Sequence, residues 1–156
     1  AKDDPVRYIH HEIGYNFRLT NIQAALGVAQ LEQLTGFLDR KHEIHRHYQN
    51  ALQDIEGLTI SEVPEYADNN HWMNVLQIDS KAYSEDREAL MQRLKKIGVQ
   101  TRSVWALNHL QKPYQNCQNY KIERAQGLVQ KSLCLPSSTN LTNKNINQVI
   151  DSLDAK

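Results

Sequence analysis

The chain has 156 residues, 40% of them hydrophobic, and its 18 lysines and arginines equal its 18 aspartates and glutamates. That length suits one domain with a core of its own and not two large ones, and the balanced charge sets up no field to gather nucleic acid, anionic lipid or an acidic partner. With no run of about 18 apolar residues and no basic-then-apolar leader, the sequence reads as soluble and cytoplasmic.

Residues 1–20 show no sustained period and are punctuated by Pro5 and Gly14, so they are expected to form an arm or loop. Thr20 followed by Gln23 fits a capping box, in which hydroxyl and amide satisfy free N–H groups at a helix start. A helix is therefore expected over 21–56, with Ile22, Leu26, Ala29, Leu34, Leu38, Ile44, Tyr48 and Leu52 at helical spacing and Gly57 as its stop. Its length exceeds the usual range, so it either bends near Thr35 and Gly36 or bridges two domains.

Residues 57–156 read as a small α+β domain. Leu58 to Ile60 is a short strand, SEVPEYADNN a loop and HWMNVLQID a strand. Ser84, with Glu85 and Asp86 behind it, is expected to open a helix that carries Leu90, Leu94 and Ile97 on one face and ends at Gly98. VQTRSVW is strand-like and HLQKPYQN contains a turn at Pro113. NYKIERAQGLVQKS is helical, LCLP a brief strand and TNKNINQVIDSL a final helix.

Self-contained catalytic signatures are absent: no GxSxG, no glycine-rich phosphate loop, no HExxH. Cys117 and Cys134 have neither CxxC nor Cys/His spacing and read as reduced, core-packed thiols. His42, His45 and His47 do not share one helical face and read as a solvated surface, whereas His10 and His11, in the arm, are better placed for a site. The segment HEIGYNFRLTNIQAALGVAQLEQL is the informative one. Tyr15, Asn16 and Arg18 put a phenol, an amide and a guanidinium on a loop unable to bury them locally, a set suited to an anionic ligand such as a phosphate. Ala24, Ala25, Gly27 and Ala29 give a small-residue surface that another element can approach closely.

That segment resembles the DegT/DnrJ/EryC1/StrS family of nucleotide-sugar aminotransferases, whose members carry a Gly-x-Asn-x-Arg loop ahead of such a helix. KKIGVQTRSVW with NHLQKPY is similar to the family's stretch near the sugar site, and SLCLPSSTNLTNKNINQVIDSL to its usual ending. The opening AKDDPVRYIHHEIGYN is similar to the branch that aminates UDP-linked 4-keto sugars on the way to legionaminic-type nonulosonic acids.

The resemblance implies the C-terminal small domain of an aspartate-aminotransferase-type enzyme with its connecting helix. It further implies pyridoxal phosphate as cofactor and transfer of an amino group, usually from glutamate, to a keto nucleotide-sugar. In the family, which is homodimeric, the loop reaches the neighbouring subunit's site. That role falls on Asn16 at the cofactor phosphate, with Tyr15 and Arg18 beside it, while Arg102 and His109 are the candidates for contacting the sugar nucleotide. Lys2, Lys41, Lys81 and the other lysines match no motif, so no catalytic residue is assigned here. The lysine that holds the cofactor covalently, and the aspartate that pairs with its ring nitrogen, are expected to precede Ala1. The competing reading is a non-catalytic dimerisation or interaction module using the exposed face of the long helix. Uncovered apolar surface around Ala24, Ala25 and Leu26 implies dimers or an unordered arm.

Overall fold

The computed structural model describes Ile9, residues 11–16 and residues 18–154. Lys2, Pro5 and His10 lie outside the described residues.

The capping box forms as expected. Thr20 is extended, its hydroxyl accepts the Gln23 N–H at 3.4 Å, and the Gln23 side chain accepts the Thr20 N–H at 2.7 Å. Helix α1 (Asn21–Leu31) follows, then α2 (Leu34–Leu52), so two helices replace the single long one. The break falls at Glu32 and Gln33, before Thr35 and Gly36. Gln33 leaves the helical region (φ −106°, ψ 0°), and its side-chain amide donates to the Ala29 carbonyl at 3.2 Å. That carbonyl is the one the Gln33 backbone N–H would take in an unbroken helix.

Strand β1 (Leu58–Ile60) runs into a long loop and returns as β2 (Asn74–Ile78). Next comes a single turn, α3 (Ser80–Tyr83), capped by the Asp79 carboxylate on the Lys81 N–H at 3.0 Å. The structure corrects the expectation for Ser84. It closes α3 in the left-handed conformation (φ 68°), and Asp86 instead caps α4 (Arg87–Lys96) by accepting the Ala89 N–H at 2.9 Å. A carboxylate at that point also meets the positive end of the helix dipole, which the serine hydroxyl does not. Gly98 (φ 81°) ends this helix, as its freedom from a Cβ allows.

Only Arg102–Ser103 of the expected VQTRSVW strand is paired, as β3. Two 3-10 turns, Asn108–Leu110 and Lys112–Tyr114, lead to α5 (Glu123–Lys131), β4 (Ser132–Leu135) and α6 (Asn143–Asp154).

The sheet is antiparallel throughout, in the order β1-β2-β4-β3. Register sets its two faces. Ile60, Leu76, Leu133 and Ser103 stand opposite one another across all four strands, and one residue along, Val75, Cys134 and Arg102 form a row on the other face. The first face meets Ile44, Tyr48 and Leu52 of α2, Leu90 and Leu94 of α4, and Ile146, Val149 and Leu153 of α6 in one buried cluster. Each such leucine contributes on the order of 2–5 kcal/mol by the cost of truncating it. Helix α1 contributes no buried residue.

Cys134 is buried in β4 but Cys117 is exposed, which corrects the core placement expected for both. His45 also departs from expectation. It is buried, at 9% exposure, because α2 turns its Ile44, His45 and Tyr48 side toward the sheet, while His42 and His47 are half-buried.

Candidate active site

Two regions hold the residues singled out from sequence. The first is the arm before α1. Tyr15 is 82% exposed, and Asn16 and Arg18 are exposed with it. Arg18 sits at φ 87°, a conformation uncommon for a residue with a Cβ, and its N–H donates to Asn16 Oδ1 at 3.2 Å. This contact holds the Arg18 backbone beside the Asn16 side chain. His11 is also exposed.

The second region is the β3 edge and the segment on its C-terminal side. Arg102, beside Cys134, lines a groove of about 470 Å³ between the strand ends and α6, together with Gln100, Asn145, Gln148 and Ser138. Neither Tyr15, Asn16 nor Arg18 borders that groove. His109 is half-buried in the first 3-10 turn, and its Nε2 is enclosed with no hydrogen-bond partner. An enclosed imidazole nitrogen without a partner is costly, so this position is one where a polar group from outside the domain would be stabilised.

A third set went unnoticed in the sequence. Lys41 is half-buried and its ammonium donates to the Ser137 carbonyl and, at 3.1 Å, to the Trp72 carbonyl. Burial lowers its pKa below the usual lysine range. Trp72 in turn lies against Trp105, ring centres 5.6 Å apart and planes tilted by 32°. The signal available was the count, since these are the chain's two tryptophans.

Pyridoxal phosphate needs anion donors for its phosphate, an amine for its aldehyde and a carboxylate for its ring nitrogen. The arm offers the first. For the second, Lys41 is committed to two carbonyls, and the other described lysines are exposed on the surface, as befits solvated charges. Asn16 and Arg18 thus have the chemistry that would hold the phosphate end of the cofactor, whereas the described lysines do not form its reactive end.

This architecture, a four-stranded antiparallel sheet backed by helices, is shared with solved sugar aminotransferases. The crystal structure of DesI in the presence of its TDP-sugar product superposes with a TM-score of 0.77 at 27% identity, over 84% of this chain and 34% of that one. Residues 1–154 match the model of the DegT/DnrJ/EryC1/StrS aminotransferase family, and the chain belongs to it. EpsN of Bacillus subtilis, assigned as a pyridoxal phosphate-dependent aminotransferase, is 33% identical over 98% of this chain and 40% of its own length. GDP-perosamine synthase of Caulobacter vibrioides is 29% identical over 95% of this chain and 40% of its own. The chain therefore spans about 40% of the length of the curated relatives it matches. Among the described residues no helix is long and apolar enough to cross a membrane.

Proposed function

We propose that this chain is the C-terminal part of an enzyme that transfers an amino group from an amino acid, glutamate, to the keto carbon of a nucleotide-linked sugar, and that it works as a homodimer in the cytoplasm. The observation that carries this reading is the exposed Tyr15, Asn16, Arg18 turn. It is a set of exposed groups suited to an anion, whose hydrogen bond among the described residues is the Arg18 N–H on Asn16 Oδ1. When bound, pyridoxal phosphate supplies the electron sink that amino transfer requires.

The chain's own residues position and neutralise. Asn16 donates from its amide to a phosphate oxygen, Arg18 supplies a planar pair of donors to the same anion, and Tyr15 lines the site. Arg102 and His109 take the sugar nucleotide, Arg102 by charge and His109 through its enclosed Nε2. On this reading the arm acts across the subunit boundary, which is supported by its absence from the groove that Arg102 borders. A homodimer brings each arm to the other subunit's site. Residues 1–20 then form the active-site arm, 21–56 the helical connector and 57–156 the small domain.

The experiment is a titration with pyridoxal phosphate followed by borohydride reduction and peptide mapping, on this 156-residue chain and on the complete protein. The expected result is one stoichiometrically modified lysine in the complete protein, upstream of Ala1, and none in the chain alone. Specific modification of any lysine between Lys2 and Lys156 would overturn the assignment. In the complete protein, Asn16→Ala is expected to weaken cofactor affinity about tenfold, the loss of roughly one charge-assisted hydrogen bond.

A further inference from the structure

The loop between β1 and β2 is fastened to α2 by histidines. His71, in the left-handed region at φ 44°, stacks on His45 with ring centres 3.7 Å apart and planes within 20°. His42 meets the same ring edge-on at 5.3 Å. Two Asn side chains shape this turn, Asn69 Oδ1 accepting the His71 N–H at 2.9 Å and Asn70 Oδ1 the Trp72 N–H at 3.0 Å.

The hydrogen bonds around the stack set the tautomers. Asn74 gives its amide N–H to Ser137 Oγ at 3.0 Å, which turns its oxygen to His45, so His45 Nδ1 carries the hydrogen at 2.8 Å. His42 Nε2 faces the Asn69 carbonyl at 3.0 Å and is likewise the donor. Each ring keeps one nitrogen that can still take a proton. Among the described residues no three such ligands are arranged to hold a metal ion, so the cluster is not a metal site.

Apart from Asp68, the ionisable groups facing His71 among the described residues are of one sign when charged. From α2 come His42, His45 and the Lys41 ammonium on the adjacent Trp72 carbonyl; β2 presents the neutral Asn74; Asp68 in the loop itself is the one opposing charge. Glu43 on α2 is engaged with Arg40. We propose that His42, His45 and His71 form an acid-sensitive latch that holds the β1–β2 loop on α2, and with it Trp72 against Trp105, and that protonation of the stack releases both. Two imidazolium rings at stacking distance repel, and the strained φ of His71 adds to the drive for release.

The sign follows from the environment of His71. Burial, then His45 and His42, hold its pKa below the ordinary histidine value. The docked loop therefore binds the proton less well than the free loop. It is fully held above about pH 6.5 and is lost progressively as pH falls below that value. This latch is independent of the transfer chemistry and of any cofactor.

Both tryptophans of the chain belong to the ring pair, so intrinsic emission and near-UV circular dichroism read the latch directly. In the 156-residue chain, lowering pH from about 8 to about 5 is expected to shift the emission and at least halve the near-UV signal of the pair. The change is reversible, and the far-UV spectrum stays constant. His71→Asn keeps a side chain that tolerates the left-handed backbone and removes the titrating ring; its profile should be flat. His42→Gln keeps a donor toward Asn69 and removes one like charge, so release needs more acid: the midpoint moves to lower pH and the transition becomes shallower. If His71→Asn loses its fold, His42→Gln decides the matter. A flat profile in the unaltered chain, or profiles that superimpose for chain and variants, would overturn the latch.

Discussion

Gly57 passes directly beneath Tyr83: a Cβ on Gly57 would lie 2.4 Å from the Tyr83 backbone nitrogen and 2.8 Å from its Cβ. Its φ of 82° is also disfavoured for a residue with a Cβ, and its carbonyl accepts the Asp79 N–H at 2.8 Å, tying the start of β1 to the end of β2. Neither Tyr83 nor the backbone can give way, because Tyr83 is buried and its hydroxyl donates to the Leu153 carbonyl at 2.6 Å. Gly57→Ala should therefore destabilise by more than about 2 kcal/mol, combining a positive-φ penalty with a backbone clash. Gly27→Ala is the control. Gly27 lies inside α1 with open space around it, so the same change should favour the helix by roughly 0.5–1 kcal/mol. Thermal melts of the two variants test the contrast, and equal shifts would refute it.

Arg93 is the hub of the adjacent corner. Its guanidinium donates to both Glu85 carboxylate oxygens, at 2.8–3.0 Å, to the Ser152 carbonyl at 2.6 Å and to the Tyr83 hydroxyl at 2.9 Å. Four segments, α3, the α3–α4 turn, α4 and α6, meet on one planar group. Arg93→Lys retains the charge but not the fork, and is expected to cost about 2 kcal/mol in urea denaturation. Arg93→Met should cost at least as much, since it leaves the Ser152 carbonyl without its donor. A Lys variant as stable as the parent would mean that charge alone matters here.

Alkaline pH should unfold the chain through its buried phenols. Burial pushes the Tyr48 hydroxyl well above the usual phenol range, and it donates to the Pro136 carbonyl at 3.0 Å. Tyr83 is raised as well, by burial, with Arg93 pulling the other way. A folded-state pKa above the unfolded value of about 10 means stability that is complete below that pH and falls as pH rises past it. Tyr48→Phe is expected to lose about 1 kcal/mol at neutral pH and to flatten the decline above about pH 10. Denaturant midpoints across that range give the comparison, and an unchanged slope would point to other groups.

What the sequence disclosed was local, and what it concealed was long-range. The Thr20 and Gln23 box, the Gly98 stop and the alternation of Asn74 to Ile78 each depend on residues a few positions apart, and each is realised in the structure. The Tyr15, Asn16, Arg18 turn belongs to the same class, and the family it points to is the family to which the chain belongs. Lys41 on Ser137, His45 on Asn74 and Trp72 on Trp105 join residues far apart in the chain, so no periodicity could announce them. Apolar spacing also misled where it was continuous. Ile22 and Leu26 keep the helical register of Ile44 and Tyr48 but lie beyond the break at Gln33, where they are exposed on a helix that reaches no core.

That exposure makes α1 the part of the chain most dependent on its cap. With no buried residue and 11 residues in length, α1 is below the size at which a helix is stable in water by propensity alone. The Thr20 and Gln23 bonds satisfy two of its free N–H groups, and Ile22, Leu26, Val28 and Leu31 remain 57–76% exposed. Thr20→Ala should cost the helix about 1 kcal/mol. The loss is expected in far-UV circular dichroism as reduced helix content at low temperature, with the main thermal transition in place, because no core contact of α2, α4 or α6 runs through α1. If the transition moves with the helix signal, α1 is fastened to the core after all. In the complete enzyme, on the dimeric reading proposed above, the same substitution should have little effect on α1, since the surface it now exposes is covered there by the rest of the dimer, and hydrogen exchange of residues 21–31 in the two contexts measures that difference directly.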